Sequence, residues 1–229
     1  MKLPKTTGVI LGLFLAIGLT GCTNVSCLQT ARVLEKDKGR FFAGGGYAAI
    51  PEYSDTTSPG LKRFPYLELG GRVGVAPKLD VGAKLTVIGS ISFDGKYQLV
   101  DAGNFALAAS FGLGGMPKDN DSTASKNKND ILELLLPLYA SYDASEYFSV
   151  YTSPKYVYRK FVGGEIRESE NMLGATVGAK IGKSAGVYIE STLLRILGTN
   201  LQTFQMNASL FWNLGSSDEK QKTTEKSAE

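Results

Sequence analysis

The run TFQMNASLFW, from Thr203 to Trp212, decides the fold class of this chain. Its even-numbered positions 204–212 are all apolar, and positions 203, 205, 207 and 209 carry Thr, Gln, Asn and Ser. Successive side chains of a β-strand point to opposite faces, whereas a helix repeats every three or four residues. The run therefore predicts a strand with one apolar and one polar face.

The same alternation recurs along the chain, most clearly at 67–75, 81–87, 132–140 and 173–181. Most of the runs exceed the usual globular strand of five or six residues and match the 9–11 residues that a tilted strand needs to cross a membrane. We expect an all-β, antiparallel, up-and-down β-barrel of about ten strands, with eight as the alternative. The predicted strands are 40–50, 64–76, 80–88, 91–100, 104–114, 131–142, 147–160, 171–181, 185–195 and 201–214.

The connections between these strands sort by length. Tight turns are predicted at 77–79, 101–103, 143–146 and 182–184. The long loops at 51–63, 115–130 and 161–170 alternate with them, and two shorter connections, near Gly89 and at 198–200, fall on the same side as the long loops. Short periplasmic turns and longer outer loops are typical of outer-membrane barrels. We therefore place the tight turns, and the start of the first strand, on the periplasmic side.

Aromatic residues fall near the predicted strand ends on the apolar face, as in the girdles of membrane barrels. The periplasmic set is Tyr97, Phe105, Tyr142, Phe148 and Trp212, and the sparser outer set is Tyr156, Tyr158 and Phe204. Pro137 and Pro154 interrupt predicted strands, and because proline weakens a ladder, we expect each to mark a bulge.

The N-terminus is typical of a secretory signal: Lys2 and Lys5 precede an apolar run, 8–20, that is too short to span a bilayer. The run ends in Leu19-Thr20-Gly21-Cys22, which resembles the bacterial lipobox. The resemblance implies a signal peptide at 1–21 that is removed and a covalent lipid on Cys22. Thr23 stands where lipoproteins retained at the inner membrane tend to carry Asp, so delivery to the outer membrane is implied.

The remaining regions follow from these assignments: a lipidated linker at 22–39, a barrel domain at 40–214 and a disordered polar tail at 215–229. Cys27 is left without an intrachain partner once Cys22 carries lipid. We expect it to be a tolerated linker thiol, with an intermolecular disulfide as the alternative.

Composition excludes several classes of function. The 229 residues include no His, so Ser-His or Cys-His catalysis and His-ligated zinc or haem are impossible. The formal charge is +3, which falls to +1 without Lys2 and Lys5, so no nucleic-acid partner is expected. No cofactor is expected other than the lipid on Cys22.

The polar faces of the predicted strands assign a nearly balanced set of charges to the barrel interior. The set comprises Glu68, Arg72, Asp80, Lys84, Asp94, Lys96, Glu133, Lys155, Arg159, Lys180 and Glu190. Strand register predicts Lys84 near Asp94 and Lys180 near Glu190. Mutually paired charges favour a filled lumen, since side chains fill small barrels. The alternative is a narrow polar channel or pocket, with room made by glycines such as Gly70, Gly82 and Gly178.

Over about 40–214 the pattern resembles small outer-membrane barrels of the size of OmpA, OmpX and the omptins. The stretch Gln29-Thr30-Ala31-Arg32-Val33-Leu34, followed by Phe41-Phe42-Ala43-Gly44-Gly45-Gly46-Tyr47, resembles the opening of uncharacterised barrel lipoproteins. Omptin-like proteolysis and the outer-membrane phospholipase and deacylase activities rely on a His that this chain lacks. A non-catalytic protein is therefore expected.

Our leading hypothesis is a lipid-anchored protein of a Gram-negative outer membrane, with a transmembrane barrel and a structural or surface-interaction role. Membrane lipid is the expected partner, beside an unknown surface or periplasmic protein. One alternative is a lipid-tethered periplasmic barrel that binds a small apolar or amphipathic ligand, with its apolar faces turned inward. A narrow pore is the other alternative.

Overall fold

The computed structural model describes residues 25–52, 60–87, 89–116, 130–162 and 169–215. Within these residues no helix is long and apolar enough to cross a membrane. They form ten strands, and the predicted strand boundaries lie within four residues of the observed ones. The strands are β1 (Gly39–Glu52), β2 (Gly60–Ala76), β3 (Leu79–Thr86), β4 (Ile91–Ala102), β5 (Phe105–Met116), β6 (Asp130–Ser145), β7 (Phe148–Val162), β8 (Ser169–Gly182), β9 (Ala185–Ile196) and β10 (Gln202–Leu214).

Each strand pairs antiparallel with its sequence neighbours, and β1 pairs with β10 to close the barrel. The closing seam runs from the pair Gly39–Leu214 to the pair Ala49–Phe204. The predicted fold class, a ten-stranded up-and-down barrel, is confirmed. Closure leaves no strand edge unpaired, which is what a sheet needs if it is to stand in hydrocarbon.

The barrel has two distinct ends. The turn end carries the short connections after β2, β4, β6 and β8, together with the start of β1 and the end of β10. Two of its turns use glycines in the left-handed region, Gly103 at a φ of 62° and Gly182 at 115°. The loop end carries the connections 53–59, 117–129 and 163–168, which lie outside the described residues, and the shorter ones at 87–90 and 197–201.

The apolar faces of the strands point outward. Leu132 and Leu138 on β6 expose 55% and 54% of their surface, and Val177 on β8 exposes 58%. Large apolar side chains point outward on all ten strands, so a continuous apolar belt surrounds the barrel. The five aromatics predicted for the periplasmic girdle all point outward near the turn end, where the Trp212 ring also stacks on Phe41 at 6.1 Å.

The predicted bulges at the two prolines are wrong. Pro154 pairs in register with Ala175, and the ladder beside Pro137 resumes without an inserted residue. A missing N–H interrupts hydrogen bonding but does not require an extra residue. The register shifts lie elsewhere and toward the turn end, at Gly74/Ala76, Gln98/Val100 and Asp143/Ser145.

Candidate functional site: the lumen and its N-terminal plug

The lumen is occupied by the chain's own N-terminal segment, residues 25–34, which we call the lumen plug. Its side chains are buried over most of its length, with Val25 and Leu28 each 1% exposed and Ala31 fully enclosed. These residues belong to the segment that the sequence assigned to a linker. They lie inside the barrel instead, so the first part of that segment is core.

The plug runs along the barrel axis, and its contacts with β6 give the direction. Arg32 binds Asp143 at the turn end of β6, and the amide of Ala31 donates to Ser141 at 3.3 Å. The side-chain amide of Gln29 donates to the Tyr139 hydroxyl at 2.7 Å, and Val25 belongs to the apolar cluster against which Leu135 packs. As the plug is followed back toward residue 25, its partners on β6 recede steadily from the turn end.

Glu190 is the central acceptor for the plug backbone. One carboxylate oxygen accepts the Cys27 amide at 2.8 Å and the other accepts the Leu28 amide at 2.7 Å. The same carboxylate accepts the Tyr151 hydroxyl at 2.9 Å and the Asn207 side-chain amide at 3.2 Å. Buried backbone amides need partners, and an extended segment in the middle of a barrel has no ladder to supply them, so the lumen carboxylate does.

Lumen lysines satisfy the plug carbonyls in the same way. Lys96 Nζ donates to the carbonyl oxygens of Thr30 and Arg32 at 2.8 and 2.9 Å. Lys155 Nζ donates to the carbonyl of Val25 at 2.6 Å and to Cys27 Sγ at 3.0 Å. Cations therefore hold the plug at both ends of its buried stretch.

A further lysine holds the plug near its first described residues. Lys84 Nζ donates to the Ser26 carbonyl at 2.8 Å and to the Ser26 hydroxyl oxygen at 2.6 Å. The Ser26 hydroxyl in turn donates to a Glu68 oxygen at 2.8 Å, and Lys84 lies 3.9 Å from the same carboxylate. Ser26 thus joins a buried acid and a partly buried base that lie on neighbouring strands.

Other lumen charges pair with each other. Arg72 binds Asp80 at 2.6 Å and Asp94 at 2.8 Å, and the second oxygen of Asp80 accepts the plug amide of Leu34 at 3.1 Å. Arg159 likewise binds Glu133 at 2.6 Å and Glu170 at 3.3 Å. A buried charge is tolerated only when it is paired and hydrogen-bonded, and these clusters meet that condition.

All eleven charges that the sequence assigned to the interior have side chains in the lumen, but their partners differ from the two predicted pairs. Asp94 binds Arg72 rather than Lys84, and Glu190 binds the plug rather than Lys180. Lys180 Nζ lies 5.4 Å from the centre of the Phe211 ring. Lys84 and Glu190 bind the plug instead of their predicted partners, whereas Asp94 is held by Arg72 of a neighbouring strand.

Large side chains fill the rest of the lumen. Leu28 of the plug packs into a buried cluster with Phe42, Tyr151, Tyr188 and Phe211. The glycines that the sequence offered as possible pocket walls make room for these rings: a Cβ at Gly70 would overlap Phe42, and one at Gly178 would overlap Tyr151. These glycines permit packing and do not create an open channel.

The turn end is closed by the residues that join the plug to β1. Arg32, near the end of the plug, binds Asp143 on β6 and Asp101 on β4 and donates to the carbonyl of Gly103. It therefore holds the plug to the turn ends of β4 and β6. Farther along, Lys36 forms a parallel bridge with Gly74, where a Cβ would overlap the Glu35 carbonyl. Glycine at 74 therefore allows the incoming chain to approach β2 closely.

Little space remains beside the plug. The cavity lined by Ser26, Cys27, Lys84, Asp94 and Tyr139 measures about 50 Å³, which is room for only a few water molecules. Among the described residues, no three Cys, Asp and Glu side chains gather as metal ligands. Cys22 and the tail 216–229 lie outside the described residues.

No family model and no curated protein matches this sequence. Among solved structures, an outer-membrane channel from Pseudomonas putida F1 is similar at 6% identity and a TM-score of 0.51, over 83% of this chain and all of that one. The outer-membrane protease OmpT of Escherichia coli matches at 11% identity and a TM-score of 0.44, over 81% of this chain and all of that one. The likeness to the channel is one of fold: this chain has the architecture of outer-membrane β-barrels.

Proposed function

We propose that this protein is a non-catalytic, lipid-anchored protein of a Gram-negative outer membrane, whose barrel spans the membrane and presents the loops 51–63, 115–130 and 161–170 to the outside. The observation that carries the proposal is the continuous apolar belt around a polar, filled lumen. A belt of this kind is stable in hydrocarbon and unfavourable in water, because apolar surface is costly to expose to water. Soluble monomers accordingly expose only small contiguous apolar patches.

The lumen supports a structural or surface-interaction role over the alternatives. A ligand-binding barrel of the lipocalin type needs an apolar interior, and here Leu132, Leu136 and Leu138 face outward. A pore needs an open lumen, and here the plug fills it. The buried acids Glu190 and Asp80 are held by plug and neighbouring groups, which favours a non-catalytic protein.

The membrane-spanning barrel is tested by gel mobility and fractionation. Unboiled protein from outer membranes is expected to migrate faster than boiled protein, because folded barrels resist the detergent. The Cys22→Ala variant is expected to show the same shift and to stay in the membrane fraction after an alkaline wash. Absence of the shift, together with release of Cys22→Ala into the soluble fraction, would refute a spanning barrel.

The lipid is tested separately, and the chain supplies a matched control. Cells are fed an alkyne-tagged fatty acid, and the tag on the purified protein is measured. Cys22→Ala is expected to lose the label and Cys27→Ala to keep it, since only Cys22 ends the lipobox-like run. Equal labelling of both variants would contradict lipidation at Cys22.

Surface presentation is tested by trypsin treatment of intact cells. The loop 115–130 contains Lys118, Lys126 and Lys128. Cleavage there in intact cells is expected, and cleavage only after the outer membrane is permeabilised would contradict an outward loop.

A further inference from the structure

The first described residue of the chain lies at the loop end of the barrel. Val25 packs with Val157, Met172, Leu194 and Ile196, and Leu201 covers the same cluster. Ile196 is the last residue of β9, and Leu201 immediately precedes β10. The plug therefore begins beside the loop-end connection 197–201 and descends to the turn end, where β1 starts.

Chain length then limits where Cys22 can be. Cys22 precedes Val25 by three residues, which span at most about 10 Å when fully extended. The 12 residues of β9 rise about 40 Å along the strand, or about 30 Å along the barrel axis at a tilt of ~40°. Cys22 cannot reach the turn end from the position of Val25.

The same length is sufficient to reach the rim of the barrel at the loop end. Ten strands spaced ~4.8 Å apart and tilted by ~40° close a barrel of about 10 Å radius. Three residues, at about 10 Å, are therefore long enough to reach from the lumen to the rim of the barrel on the loop side.

We infer that the lipid on Cys22 is held in the outer leaflet of the membrane, on the side of the long loops, with the N-terminal segment passing through its own barrel. The inference rests on the proposed function for two premises, namely lipidation of Cys22 and the periplasmic position of the short turns. The direction of the plug depends on neither premise, because it follows from the contacts of residues 25–34.

This position gives the lipid a second role beyond attachment. The barrel belt already holds the protein in the membrane, so the anchor adds little to location. The plug, however, is fixed covalently to β1 at the turn end and by acyl chains at the loop end. The cavity beside it is about 50 Å³, far too small to pass acyl chains, so the lipid pins the plug and keeps the lumen closed.

The test uses single reactive cysteines in the full lipidated chain, in a Cys27→Ala background, and an outer-membrane-impermeant polyethylene-glycol maleimide. Asn24→Cys reports the N-terminus, Asn200→Cys marks the loop end, and Lys183→Cys marks the exposed turn end. A second N-terminal reporter carries its cysteine within a five-residue Gly/Ser insertion after Asn24, so that burial beside Val25 does not silence it.

The N-terminal reporter on its insertion is expected to label on intact cells within about twofold of Asn200→Cys, and at least tenfold more than Lys183→Cys. Labelling of both N-terminal reporters only after permeabilisation, with the two markers behaving as stated, would overturn the inference and leave the spanning barrel intact. Failure of Asn200→Cys to label on intact cells would instead refute the proposed function.

Discussion

The substitution Glu190→Gln is expected to loosen the lumen plug while leaving the barrel closed. The carboxylate accepts four hydrogen bonds, two of them from the plug amides of Cys27 and Leu28. A glutamine amide keeps one acceptor oxygen and turns an –NH₂ group toward two of those donors. Each carboxylate oxygen accepts one plug amide and one side chain of the barrel wall, so the seated plug loses one hydrogen bond to a charged acceptor, at about 1.5–3 kcal/mol.

The assay uses the reactivity of Cys27, the free cysteine of the described chain, which is buried beside Lys155 and Thr176. A maleimide reaches its thiol only when the plug opens, so the labelling rate follows the opening equilibrium. With a factor of ten for every ~1.4 kcal/mol, the rate in folded protein in detergent is expected to rise about 10- to 10²-fold in Glu190→Gln.

The matched control is Asp94→Asn, which alters a lumen carboxylate whose contacts are with Arg72 and Ser110 rather than with the plug. It is expected to stay within about threefold of the natural rate. If the labelling rate of Glu190→Gln also stays within threefold of the natural rate, while unboiled gels show that the barrel is folded, Glu190 does not hold the plug.

Three further substitutions test the turn-end ion pairs and the apolar belt. Arg32→Met removes two partly exposed ion pairs at the turn end, each worth up to about 1 kcal/mol and screened by salt. It should speed Cys27 labelling by about thirtyfold or less, and 1 M salt should bring the rates of the variant and the natural protein closer together. An effect well above a hundredfold would contradict weak ion pairs at this position. Leu138→Arg, midway along β6 on the outer face, should lower the free energy of unfolding in lipid by about 2–4 kcal/mol. Leu197→Arg at the loop end should lower the free energy of unfolding by about 1 kcal/mol or less. Equal losses at the two sites in urea titrations would contradict a membrane belt centred at the level of Leu138.

The barrel could be predicted from sequence because each strand carries its own local signal. Alternation at 204–212 fixes which face of β10 is apolar, and the same reasoning works for the other strands without any knowledge of tertiary contacts. Turn residues such as Gly103 and Gly182 independently mark where strands end. The interior position of Glu190 or Lys96 follows from this alternation, since each lies on a polar face.

The plug could not be predicted in this way. Its partners are remote in sequence, as with Cys27 and Glu190, which are 163 positions apart. An extended segment without a ladder leaves no periodic pattern, and small polar residues such as Ser26 and Thr30 are equally typical of a linker. One signal was present: between Cys22 and Arg32 the sequence carries no charge, and an uncharged segment costs less to bury than a charged one.

The partners of the lumen charges were missed for the same reason. Register places Lys84 diagonal to Asp94, and that placement is correct, because Gly82 is the residue opposite Asp94. The contact nevertheless goes elsewhere, since the plug carbonyl of Ser26 is within reach of Lys84 and Arg72 is within reach of Asp94. Strand alternation fixes the side of the sheet, and the occupant of the lumen decides the partner.

Closure of a membrane-spanning barrel by its own N-terminal segment is tested by single-channel conductance. The natural protein is compared in planar bilayers with a variant whose residues 25–34 are replaced by Gly/Ser of equal length. A control carries the same replacement at 217–226 in the tail. We expect no current steps from the natural protein and the control, and discrete current steps from the plug variant. Steps from the natural protein equal to those of the variant, or silence from a folded and inserted plug variant, would contradict it.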